Sequence, residues 1–210
     1  YSLDHRLKLF SRIGAGVCIV LEFTKRFSRM PAETFVRKIM IERIGVTMLM
    51  VGENFVFGKN AGGDVSLLRN LARQCHFGLR VFTVSKSFGK PISSTLIRRL
   101  IAKGRLLRAQ RLIARPVSVL GTVVRGDGRG RRLGFPTANI DPHHEVLPPS
   151  GIYAVRVILR GDIRNGVCYI GKRPTISTLG LPERSIEVYI FDFQKNIYGE
   201  DLEILFQKKI

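Results

Sequence analysis

Apolar and polar positions follow two different rhythms along the chain. Up to about residue 114, helical and strand-like periods take turns. Leu3, Leu7 and Phe10 recur at helical spacing and predict a helix over 3–13. Val17 to Phe23 is an apolar run of strand length. Phe35, Ile39 and Ile41 predict a helix over 31–44, with Pro31 in its first turn and Gly45 where a C-cap belongs. Thr47 to Val51 reads as a second, buried strand. Asp64 stands as an N-cap before Leu67, Leu68, Leu71 and Cys75. Leu79 to Val84 reads as a third strand, and Ser93 or Ser94 caps a helix through Ile97, Leu100 and Ile101. Such alternation predicts a parallel sheet with helices on its faces.

After Arg115–Pro116 the rhythm changes to β-branched runs broken by Gly and Pro, with no long helical period. Val117 to Val124, Ile152 to Leu159, Val167 to Ile170, Ile186 to Phe193 and Leu202 to Phe206 read as strands. Gly161–Asp162, Asn165–Gly166 and Tyr198–Gly199 are turn signals. Short strands at this spacing predict a closed or nearly closed antiparallel barrel. The boundary between the two characters falls near Ala114, giving domains 1–114 and 115–210.

Composition narrows the partners. Apolar residues make up 45% of the 210, enough for a packed core and too many for a disordered chain. No apolar run approaches the ~18 residues of a transmembrane helix, and no secretory signal opens the chain. Cys18, Cys75 and Cys168 are far apart and odd in number, which supports neither a disulfide framework nor a zinc site. A reducing, cytoplasmic setting is the expectation. The formal net charge of +19 attracts polyanions, whether nucleic acid, anionic membrane or nucleotide phosphate.

Candidate chemistry concentrates in Gly126-Asp-Gly-Arg-Gly-Arg-Arg-Leu-Gly-Phe-Pro-Thr-Ala-Asn139. Gly126, Gly128, Gly130 and Gly134 let backbone N–H groups approach an anion, and the arginines between them supply charge. No Gly-Lys-Ser/Thr follows, so this is not a Walker loop, and the glycine spacing is not that of a dinucleotide fold. Thr137 and Asn139 would place a hydroxyl and an amide oxygen on the same side of an extended chain. Both are hard oxygen ligands suited to Mg²⁺; the same pair would equally serve to fix a turn.

Leu133-Gly-Phe-Pro-Thr-Ala-Asn139 resembles the signature of the riboflavin kinase family. Leu147 to Ala154, Ile170-Gly-Lys-Arg-Pro-Thr175, and Glu187-Val-Tyr-Ile-Phe-Asp-Phe193 followed by Tyr198-Gly199 resemble further family segments in the same order. The resemblance covers 115–210. It implies that Glu187 is the general base that takes the proton of the ribityl hydroxyl as it attacks the ATP γ-phosphorus. It implies that Thr137 and Asn139 bind Mg²⁺ and nucleotide phosphate, with Gly126 to Gly134 over the phosphates and Arg173 at phosphate or bracing a turn. Strand alternation puts Glu187 on one face with Tyr189, Phe191 and Phe193.

Residues 1–114 resemble the FMN adenylyltransferase module of bifunctional bacterial riboflavin kinase/FAD synthetases. Val51-Gly-Glu-Asn-Phe-Val-Phe-Gly-Lys59 and Ile92-Ser-Ser-Thr-Leu-Ile-Arg98 carry that resemblance. Ser93, Ser94, Thr95 and Arg98 offer hydroxyls, free N–H groups and a cation to a nucleotide phosphate; a plain N-cap uses the same serines. Asn54 stands where the family usually has Asp. The family's Gly-Phe-Asp-Gly-x-His-x-Gly-His region is absent, and His5 cannot replace it.

The expected fold is thus a partial nucleotidyltransferase-type, Rossmann-like parallel sheet followed by an all-β, Greek-key-like antiparallel barrel. The expected activity makes FMN from riboflavin and ATP with Mg²⁺, while efficient FAD synthesis, expected of the full-length protein, is lost. A fragment of a longer protein is expected, shortened at the N-terminus and, before a flavin-covering helix, at the C-terminus. No specific nucleic acid and no membrane are expected as partners. Two alternatives remain, a basic barrel that binds nucleic acid and a flavin-binding module without catalysis. Against the first, aromatics do not interleave with Lys and Arg as a stacking platform requires.

Overall fold

A computed structural model describes residues 1–87, 89–126, 130, 134–143, 145–176 and 182–210. The chain forms two compact units, one of residues 1–18 with 93–210, the other of residues 19–92. Helix α1 (Leu3–Arg12) belongs to the first.

The 19–92 unit contains α2 (Lys25–Ser28), α3 (Ala32–Thr34) running on as a π-helix over Phe35–Arg43, β1 (Met48–Gly52), α4 (Val65–Gln74), β2 (Gly78–Phe82), and the small ribbon β3 (Lys86–Ser87) with β4 (Lys90–Pro91). Strands β1 and β2 pair in parallel from Met48↔Gly78 to Gly52↔Phe82. Val36, Val51, Leu68, Leu71 and Phe77 form its core. Asp64 caps α4 as expected, its Oδ1 accepting from Leu67 N at 2.8 Å.

Two expectations fail in the first half of the chain. Val17 to Phe23 joins no strand ladder among the described residues, and Val17, Ile19, Val20, Leu21 and Phe23 are exposed. An apolar run supplies the side chains of a strand but not the partner whose hydrogen bonds make one. Strand β1 was expected to be buried. Only Val51 is, because the β1–β2 sheet has two strands and leaves Met48 and Met50 more than half exposed.

The larger unit holds α1, α5 (Ser94–Ala102), α6 (Leu106–Ile113) and six strands: β5 (Ser118–Val124), β6 (Ala138–Asp141), β7 (Gly151–Leu159), β8 (Asp162–Ile176), β9 (Pro182–Ile190) and β10 (Asp201–Lys209). They close into an antiparallel barrel in the order β10-β5-β6-β9-β8-β7. Alternate residues point inward, so Val119, Tyr153, Val155, Val157, Cys168, Val188, Ile204 and Phe206 fill the interior. Tyr153 and Phe206 meet edge to face at 5.3 Å. Burial pushes the Cys168 thiol up to about 12, so it is protonated and inert.

The change of character at Ala114 separates sequence rhythms, whereas the compact units follow packing. Helix α1 is fastened to the barrel by a buried polar cluster. His5 is fully buried, with Nδ1 2.7 Å from Glu145 Oε1 and Nε2 3.3 Å from Glu203 Oε1. Ser118 Oγ lies 3.1 Å from His5 Nε2, and Arg12 donates to both oxygens of Glu203. Burial by itself lowers the His5 pKa, but hydrogen bonds to the two carboxylates, and their charge, raise it above the ordinary value. Glu203 also meets a burial penalty, yet its bonds to His5, Arg12 and Ser118 hold it down at about 2. His5 is therefore a structural residue, in line with its lacking the surroundings of a catalytic histidine.

Candidate active site

The barrel brings together three residues that sequence had singled out separately. Asn139 on β6 faces Glu187 on β9 as a register pair, and Tyr169 on β8 faces Glu187 from the other side. Val124 on β5 pairs with Asn139, and Ile152 on β7 with Tyr169. Residues paired in this way lie on one face, so a row runs Val124–Asn139–Glu187–Tyr169–Ile152 across the outside of the barrel. Glu187 is the one ionisable carboxylate in that row. Thr137 stands just before β6, and its Oγ1 donates to Glu187 Oε2 at 3.3 Å.

Glycines make room for this arrangement. A Cβ at Gly126 would overlap the side-chain amide of Asn139. A Cβ at Gly130 would lie 3.0 Å from Thr137 Oγ1 and collide with the Phe135 carbonyl. The backbone at both positions thus folds down onto the side chains of Asn139 and Thr137, an approach only glycine permits. Gly134 has a left-handed φ of 82° and lines the adjoining cavity. Gly128, and Arg129, Arg131 and Arg132, lie outside the described residues. Arg173 falls within β8, but its side chain is likewise outside them.

The face expected for Glu187 needs correction. Tyr189 shares it, touching Phe135 and Phe191 edge to face at 5.7 and 5.8 Å. Phe193 does not, because β9 ends at Ile190 and Asp192 turns the chain with a φ of 53°. Phe193 instead lines a cavity of about 380 Å³ beside Thr137. Val123, Ala138, Val188 and Ile190 form its apolar floor, and Gln194, Lys195, Asn196 and Tyr198 its polar wall. Lys195 is the only charged group among the described lining residues. Sequence reasoning missed this wall; the Tyr198–Gly199 turn was its one visible signal.

Thr137 and Asn139 offer hard oxygen donors of the kind suited to Mg²⁺, which takes few protein ligands and completes its shell with phosphate and water. Among the described residues no group of three or more His, Cys, Asp or Glu could hold a metal ion.

The other nucleotide-binding candidates form a separate group at the start of α5. Ser93 Oγ caps the helix, accepting from Leu96 N at 3.2 Å, and Arg98 Nε donates to Ser94 O. Ser94 and Thr95 are exposed. In the 19–92 unit, Asn54 sits in an exposed turn, followed by Phe55 and Phe57 stacked at 5.4 Å. Those rings, with Phe23, Phe27 and Phe35, line an aromatic cavity of about 310 Å³.

A barrel carrying one carboxylate beside a hydroxyl and an amide, with glycine backbone folded over them, has the makings of a phosphotransferase that works by positioning. Residues 113–210 match the riboflavin kinase family, and residues 1–96 match the FAD synthetase family. The bifunctional riboflavin kinase/FMN adenylyltransferase of Haemophilus influenzae is 38% identical over 99% of this chain and 67% of its own length. That of Escherichia coli K12 is 32% identical over 99% of the chain and 66% of its own. A crystal structure titled as a macrolide-efflux protein from Streptococcus pneumoniae superposes with a TM-score of 0.80 at 27% identity, over all of this chain and 66% of that one. The chain spans about two thirds of the length of the relatives it matches. It belongs to the bifunctional riboflavin kinase/FMN adenylyltransferase family.

Proposed function

We propose that residues 115–210 transfer the γ-phosphate of ATP to the ribityl 5′-hydroxyl of riboflavin, giving FMN, and that residues 1–114 derive from the FMN adenylyltransferase module. The observation that carries this is the meeting of Glu187, Thr137 and Asn139 on adjoining strands, with Gly126 and Gly130 packed onto the last two.

Glu187 acts as general base and accepts the hydroxyl proton as the oxygen attacks phosphorus. Thr137 holds that carboxylate in place through its hydrogen bond. Thr137 and Asn139 would hold Mg²⁺, which supplies charge neutralisation at the phosphate oxygens when bound. Backbone N–H groups at Gly126, Gly130 and Gly134 would approach the phosphates. The cavity beside Thr137 takes the nucleotide, with Lys195 near its polyphosphate. Tyr189, Tyr169 and the exposed Phe191 offer apolar surface beside Glu187 for the flavin end of the acceptor. Catalysis of this kind rests on proximity and charge stabilisation.

In the other module, Ser93, Ser94, Thr95 and Arg98 would contact nucleotide phosphate, and the Phe55–Phe57 cavity would contact flavin. The 210 residues contain no Gly-x-His-x-Gly-His sequence. Incubation with riboflavin, ATP and Mg²⁺, followed by chromatography, tests both halves of the proposal. FMN without FAD is expected. Abundant FAD from this chain would remove the second half, and no FMN from the folded protein would remove the first.

A further inference from the structure

We infer that the outer face of the α5–α6 helix pair is a docking surface for single-stranded RNA, held through its phosphates without regard to sequence. No Asp or Glu occurs between Asp64 and Asp127, a stretch that includes both helices. The buried faces of the pair are apolar, formed by Ile97, Leu100 and Ile101 on α5 and by Leu106 and Ala109 on α6. Arg99, Lys103, Arg105 and Arg111 project outward and are exposed. Arg99 and Lys103 are one helical turn apart, and the Lys103–Arg105 turn continues the positive surface onto α6.

Elsewhere in this unit some cations meet acids: Lys8 pairs with Asp201, Arg12 with Glu203 and Arg160 with Glu200. Among the described residues no ion pair reaches Arg99, Lys103, Arg105 or Arg111. Such a face is complementary to a row of phosphates.

Shape and chemistry select the occupant. The cations are spread over two helices and the turn between them rather than along one straight element, a path that a flexible strand can follow more closely than a rigid duplex. Cellular DNA is duplex, so the strand is RNA. Leu107 is the one large apolar residue exposed on the outer face of α6, too little for an amphipathic helix that lies in a membrane. No aromatic side chain stands among the four cations, so bases are not read.

The test is fluorescence anisotropy of a labelled oligouridine with the full chain, titrated across salt concentrations. Three proteins are compared: wild type, the R99Q/K103Q/R105Q/R111Q variant, and the K25Q/R26Q/K38Q/R43Q variant, which loses the same charge from exposed sites in the 19–92 unit. Each phosphate contact on a single strand contributes about 0.7 to the salt slope. The first variant is expected to bind at least tenfold more weakly, with a slope lower by about 3, while the second stays within about threefold of wild type. Equal losses in the two variants would show only net charge at work and overturn the inference. So would no binding by wild type, or tighter binding to phosphatidylserine vesicles that RNA does not displace. Unchanged thermal midpoints in both variants confirm that folding does not drive the difference.

Discussion

Thr137 Oγ1 donates to Glu187 Oε2 at 3.3 Å, across the junction of β6 and β9. This contact joins a candidate metal ligand to the candidate base. In the proposed mechanism one geometry serves both phosphate binding and proton removal, and substitutions at either end are expected to have separable effects.

Thr137→Val keeps the shape and removes the hydroxyl. FMN formation is expected to fall by on the order of 10²-fold, because both the ligand and the hydrogen bond that holds Glu187 are lost. The apparent Mg²⁺ requirement should rise with it, measured as the metal concentration giving half-maximal rate. An unchanged metal dependence would separate Thr137 from the metal.

Gly126→Ala places a methyl group where the Asn139 amide lies. The expected result is a KM for ATP raised by on the order of tenfold, with the thermal midpoint little altered because the site is at the barrel surface. Steady-state kinetics over a range of ATP checks it, and a wild-type KM would show that Asn139 does not contact the nucleotide.

The outline of the fold was legible where its signals are local. Asp64 and Ser93 cap helices as their positions announced, and the turn-rich second half does close into a barrel. Strand β6 was not legible, because four residues beginning at Ala138 carry too little pattern and Pro136 suggests a turn. Helix α6 went unread after Gly104 interrupted the helical period. Val17 to Phe23 had strand composition and no partner. The site's residue types were legible, but the Asn139–Glu187 pairing spans a barrel and is set by register. The His5 cluster was invisible for the same reason, since Glu145 and Glu203 lie 140 and 198 residues from His5.

That cluster gives the protein a pH-dependent stability with two limbs. The His5 pKa is raised on folding, so its contribution is complete below the unfolded value of 6.5 and is lost as pH rises through the folded value. The Glu203 pKa is lowered to about 2, so its contribution is complete above 4.5 and is lost as pH falls toward 2. Thermal unfolding of wild type should be most favourable to the folded state between these limits. His5→Gln should flatten the alkaline limb, and equal midpoint losses from pH 6 to pH 9 in both proteins would contradict the assignment.

Phe206 is fully buried and packs on Tyr153 inside the barrel. Phe206→Ala should cost about 3–5 kcal/mol through the lost burial and the cavity left behind. Urea unfolding measures this, and a cost below about 1 kcal/mol would mean the barrel interior collapses around the gap.

The most direct test of the account is the rate of FMN formation by Glu187→Gln, measured beside its affinity for ATP. Gln keeps the shape and removes the basic oxygen, so turnover should fall by on the order of 10²–10⁴-fold while ATP binding changes little. A variant that makes FMN at the wild-type rate would contradict the assignment of Glu187 as the base, and with it the catalytic reading of the barrel.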